Sequence, residues 1–111
     1  GDGRAVSYQR QIKEMLLAMA NKEFARNYEI QDTDVQIPLW KEGQLTMIAK
    51  YTGNQTVGEK YRLTNIIQGE LVLAEQELYR PGVRAVAVGT HTLSAGESAL
   101  IYIVRDRKEN E

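Results

Sequence analysis

The sequence predicts one mainly β domain that carries a single amphipathic helix near its N-terminal end. Three observations predict it. Apolar residues fall at helical spacing from Ser7 to about Asn27; they fall at every second position from Val35 to Tyr51 and again from Val83; and 111 residues is close to the commonest size of one domain. Two domains would leave each half too small for a self-sufficient core without disulfides or metal, and the chain has no cysteine.

Residues 1–6 open abruptly as Gly1-Asp2-Gly3-Arg4 without a methionine and read as an unstructured leader, as in a fragment of a longer protein. Ser7 is a plausible helix cap. Tyr8, Ile12, Met15, Leu16, Met19 and Phe24 then share one face, while Gln9, Arg10, Lys13, Glu14, Lys22 and Arg26 mostly take the other. The polar face mixes both signs, which favours a helix that covers a core over one that lies on an anionic membrane. Gln31–Asp34 reads as a polar connector. Val35, Ile37 and Leu39 alternate with Gln36, Pro38 and Trp40, and Pro38, lacking an N–H, places that strand at a sheet edge. Lys41-Glu42-Gly43 turns the chain into a second strand, with Leu45, Met47, Ala49 and Tyr51 on one side. Residues 52–59 read as loop.

The stretch from Tyr61 to Tyr79 is open on periodicity. Leu63, Ile67, Leu71, Ala74 and Leu78 fit one helical face, which would give an α+β domain with a second helix at 63–79. Gly69, costly within a helix, and the Thr64–Ile67 run fit two short strands with a turn. After the Pro81-Gly82 break, Val83, Ala85 and Ala87 alternate with Arg84, Val86 and Val88. Ser94–Ser98 turns the chain back, and Ala99–Val104 is a continuous apolar run, a strand covered on both faces. The main domain therefore spans 7–105, followed by a charged, frayed tail at 106–111.

Fourteen basic residues balance fifteen acidic ones, and no basic run offers the clustered footprint of a nucleic-acid binder. No apolar stretch approaches the ~20 residues that span a bilayer. One histidine and no cysteine leave no ligand set for zinc. His91 has no nucleophile at a recognisable turn, no phosphate-cradling Gly-Lys-Ser/Thr follows Gly53 or Gly58, and Glu70, Glu75 and Glu77 read as a solvated edge. The sequence offers no catalytic residue, no cofactor and no metal site. What remains is recognition chemistry. Trp40, Tyr79, Arg80, Arg84 and Tyr102 are of the types enriched at binding hot spots, and Trp40, Tyr79, Arg80 and Arg84 are the expected protein-interface residues.

The C-terminal half carries a recognisable series. Tyr61-Arg62-Leu63-Thr64-Asn65 precedes Leu71-Val72-Leu73, an acidic-aromatic stretch ends at Tyr79, and Gly82-Val83-Arg84-Ala85-Val86 follows. The series closes with Leu93-Ser94-Ala95-Gly96-Glu97-Ser98 and Ile101-Tyr102-Ile103-Val104. This order, with the N-terminal helix and Tyr51-Thr52-Gly53 before it, resembles the C-terminal domain of TraK-type conjugal transfer proteins. The resemblance implies a small β-sandwich with one helix and a turn near Gly69. It also implies a structural role in the outer-membrane core of a conjugative type IV secretion system. Such domains sit in the periplasm at the outer membrane, form rings with copies of themselves, and contact a TraV-like lipoprotein and a TraB-like scaffold protein. Two rival expectations stand beside it: an α+β ring-building domain of another secretion or assembly machine, and a small ligand-binding or hydrolase domain using Glu70, Glu75 or His91.

Overall fold

The computed structural model of the chain describes residues 2–38 and 42–111, and residues 2–6 through their backbone alone. It is mainly β, with one α-helix near the N-terminus. Helix α1 (Asp2–Ala20) is followed by a 3-10 turn at Lys22–Phe24. Five strands form one antiparallel sheet: β1 (Glu29–Ile37), β2 (Gly43–Thr52), β3 (Thr56–Asn65), β5 (Val83–Val88) and β7 (Ser98–Asp106). Their order across the sheet is β1-β2-β3-β7-β5. Strands β4 (Leu71–Val72) and β6 (Thr92–Leu93) pair as a two-stranded ribbon.

The period of two sorts the sheet into two faces. On one face Leu45, Tyr61, Leu63, Ala99, Ile101 and Ile103 pack with Leu73, Leu78 and Leu93 from the ribbon and its loops. On the other, Ala49, Tyr51 and Val104 pack under Met15, Ala18 and Met19 of α1. Strand β7 serves both cores in alternation, so its run from Ala99 to Val104 must be apolar on both sides. The helix approaches closely because Gly58 lies beneath it. A Cβ there would stand 2.8 Å from the sulfurs of Met15 and Met19. Those methionine side chains are wholly buried, and each contributes about 1.5–3 kcal/mol of hydrophobic stabilisation.

The strands-with-a-turn reading of residues 61–79 is the one the structure holds, and the helix at 63–79 is absent. Tyr61–Asn65 completes β3, residues 66–70 bend around Gly69, and β4 and a 3-10 turn at Glu75–Leu78 follow. The side chain of Asn65, 1% exposed, fixes the bend. Its amide donates to the carbonyls of Gly69 (2.8 Å) and Leu93 (3.0 Å), and its oxygen accepts from the N–H of Ile67 (3.0 Å). A helix would have spent those backbone groups on itself.

Four local expectations are corrected. Helix α1 begins at Asp2, so residues 2–6 are helical in backbone instead of an unstructured leader; no proline stops the helix from propagating back beyond Ser7. Gln31–Asp34 belongs to β1 and is no connector, because an edge strand open to water on both faces tolerates polar residues at every position. The expected loop at 52–59 shrinks to a turn at Gly53–Gln55, since Thr56 and Val57 are buried at the start of β3. The tail is also tied down. Arg105 makes a bidentate contact with the carboxylate of Glu111 at 2.7 Å for both bonds, and Lys50 adds a third at 2.6 Å.

Candidate interaction surfaces

The two edges of the sheet are β1 and β5. Strand β1 pairs with β2 along its length, and its other side has no strand partner among the described residues. Most of its side chains are exposed, including Ile30 and Val35. It carries Glu29, Asp32 and Asp34 and no basic residue. A register shift between Asp32 and Val35 interrupts the ladder there, and the Thr33 hydroxyl donates to the carbonyl of Met47 at 2.8 Å. The bulge and the carboxylates are the devices by which edge strands avoid indiscriminate pairing. Pro38 lies just past the end of this strand, where the sequence placed an edge. Trp40 lies outside the described residues.

At the other edge, Tyr79 and Arg80 sit on the exposed loop between the Glu75–Leu78 turn and β5. Arg80 makes no ion pair among the described residues. Arg84 faces solvent too, but its guanidinium is engaged. It donates to both carboxylate oxygens of Asp106 at 3.0 and 2.8 Å, and Tyr8 of α1 donates its hydroxyl to the same carboxylate. Arg84 and Tyr8 thus hold the Asp106 carboxyl below its usual range, and the pairing raises the Arg84 guanidinium further. The triad ties helix, edge strand and β7 together. Tyr102 turns inward, packed against the core beneath α1 with the Lys60 ammonium 5.8 Å from its ring centre. Three of the four expected interface residues lie within the described residues. Tyr79, Arg80 and Arg84 gather at the β5 edge near the Arg105–Asp106 end of β7, while the Pro38 end of β1 lies across the sheet, at the strand ends facing Ala99.

Sequence reasoning missed a groove of 780 Å³ bounded by α1, the Lys22–Phe24 turn and the β2–β3 turn. Leu17 and Phe24 line it, 45% and 53% exposed, beside Tyr28. Glu14 and Glu23 stand at its rim with Arg26. Burial, and then the negative charge of Glu14, raises the Tyr28 hydroxyl above its ordinary pKa. A signal was present. Met15-Leu16-Leu17-Ala18-Met19 is longer than one helical face can bury, so one residue of it had to face outward.

The residues of the hydrolase alternative do not converge on a cleft. Glu70 and Glu77 are exposed, and His91 meets Glu75 at the surface, 3.2 Å apart. Among the described residues no three potential metal ligands cluster, and no helix is long and apolar enough to cross a membrane.

The profile of the TraK C-terminal domain family matches residues 3–105, which takes in the helix, both sheet edges and the ribbon. The chain belongs to the TraK C-terminal domain family. No curated protein matches it. Membership makes this TraK-type domain part of a conjugal transfer protein, a structural component of conjugation that works in the periplasm.

Proposed function

We propose that this TraK-type domain assembles with copies of itself into the outer-membrane core ring of a conjugative type IV secretion system. There it binds a small TraV-like lipoprotein and, in the same assembly, a TraB-like scaffold protein. The observation that carries the reading is a sheet whose two edges, of different character, have no strand partner among the described residues, within a domain of this family. Strand β1 offers a long row of main-chain donors and acceptors, with Ile30 and Val35 exposed beside them. An extended lipoprotein segment can add there as a further strand, taking affinity from main-chain hydrogen bonds and specificity from alternate side chains. The acidic residues of β1 favour a segment with Lys or Arg at facing positions. The β5 edge, with Tyr79 and Arg80 on its approach, is left for a different neighbour, as the heterologous contacts of a closed ring require.

The test is titration of the lipoprotein's periplasmic peptide into isotope-labelled domain, followed by backbone amide shifts. The expected result is perturbation along Glu29–Ile37 and β2, with intermolecular strand contacts. Perturbation confined to the β5 edge, or none at saturating peptide, would remove β1 as the lipoprotein site.

A further inference from the structure

We infer that the Tyr79–Arg80–Pro81 loop of one copy of this chain docks into the groove between α1 and the β2–β3 turn of the next copy. This names the contact within the self-association proposed above and rests on that reading.

The two surfaces match in chemistry. Tyr79 is 48% exposed at the end of a 3-10 turn whose preceding residue, Leu78, is buried, so the loop is anchored while its aromatic ring projects. Arg80 follows without an ion pair among the described residues, and Pro81 limits the loop's freedom. An anchored aromatic beside a guanidinium is the composition of an interface hot spot. The groove offers the counterpart. Leu17, Phe24 and Tyr28 present an apolar wall, and Glu14 and Glu23 make no ion pair among the described residues. Its 780 Å³ lies within the range of about 300–1,000 Å³ typical of sites that enclose a ligand. Tyr79 supplies the ring for the apolar wall, and Arg80 a charge that Glu14 or Glu23 can pair.

The two surfaces also match in position. The loop leads into β5 at Val83, opposite Arg105 of β7. The groove is bounded by Thr56, opposite Asp106 of β7. Both therefore lie at the same end of β7, the loop on its β5 side and the groove on its β3 side. The loop is rooted by Leu78 in the core on the face opposite α1, so one copy can present its loop to a neighbour while its own groove stays open to another. Loop and groove differ, so the contact is heterologous: each copy keeps one unused groove and one unused loop until a ring closes.

The chain's lack of cysteine makes the test direct. The variants Arg80→Cys and Asn27→Cys, the latter at the groove, are mixed at high concentration and treated with a short bismaleimide. A product joining the two variants is expected, with little from either alone. In sedimentation equilibrium, Arg80→Glu is expected to weaken self-association about tenfold or more, and adding Glu14→Arg to restore part of it. All four substitutions are at exposed positions, so the fold is retained and circular dichroism confirms it. Wild-type self-association undiminished in Arg80→Glu, with no mixed product, overturns the loop-in-groove contact and leaves ring assembly through another surface. A wild-type chain that stays monomeric up to about millimolar concentration overturns both this contact and self-association through this domain.

Discussion

Asn65 shows how much of this fold depends on one polar side chain. It is buried, and its amide meets the loop after β3 and the end of the ribbon at once. Its own backbone takes part as well, with the N–H donating to Glu97 and the carbonyl accepting from Gly96, both at 2.9 Å. Replacing it with leucine leaves two carbonyls and one N–H without their partner, the bond to Leu93 being the buried one. Asn65→Leu is expected to lower unfolding free energy by at least about 2 kcal/mol in urea melts. Asn65→Asp is expected to be no milder near neutral pH, because a carboxylate would face two carbonyl oxygens with no proton to give. A change below about 0.5 kcal/mol for the leucine variant would place Asn65 among ordinary surface positions. Gly58 makes the complementary point about space. It is the absence of a side chain that admits Met15 and Met19.

At the scale of elements, two charged clasps hold the ends of the chain to the sheet. Tyr8 and Arg84 meet on Asp106, and Arg105 with Lys50 meets on Glu111. Glu59 braces the second clasp from β3, accepting from Arg105 at 3.0 Å and from the Tyr61 hydroxyl at 2.8 Å. Paired cations hold the Glu111 and Asp106 carboxyls below their ordinary values, hydrogen bonding from Arg105 being the main cause for Glu111 and from Arg84 for Asp106. A carboxyl with a lowered folded-state pKa stabilises fully above its unfolded value of about 4. That contribution declines as pH falls below this value and is gone once pH has dropped through the folded-state pKa. Glu111→Gln is therefore expected to be less stable than wild type by about 1–2 kcal/mol at pH 7. Thermal melts from pH 7 down to pH 2 should show the gap narrowing on the acid side. A gap that stayed constant, or widened in acid, would mean the clasp does not act through the Glu111 charge.

The whole molecule is elongated, 50 × 27 × 26 Å, and its protection from solvent is uneven. Strands β3 and β7 lie inside the sheet, and their residues Val57, Leu63, Ile101 and Val104 are almost wholly buried. Strand β1 is exposed at seven of its nine residues and has no strand partner on its outer side among the described residues. Amide exchange in dilute solution is expected to be slowest in β3 and β7 and fastest, among the strands, in β1. If β1 were protected as strongly as β3, another chain would already be covering that edge in solution. Repeating the measurement with lipoprotein peptide present ties stability to function, because strand addition should slow β1 selectively.

The sequence by itself determined the helix, the alternating strands and the edge at Pro38, because each is written in a local period or in a residue that lacks an N–H. It also marked Tyr79 and Arg80 by residue type beside a Pro-Gly break, and the structure leaves both exposed. Residues 61–79 stayed open between helix and strands on periodicity alone, because their apolar spacing fits both, and the resemblance to TraK supplied the strands. Tertiary structure decided what depends on partners distant in the chain. Asn65 bends the chain there by reaching Leu93, and Arg84 turns from a free cation into a strut by reaching Asp106. The groove exists only because α1 crosses the sheet where Gly58 lets it descend, so that Leu17 and Phe24 are left facing outward beside the β2–β3 turn. Spacing along a chain encodes which face a residue takes; it does not encode which distant element arrives to cover that face.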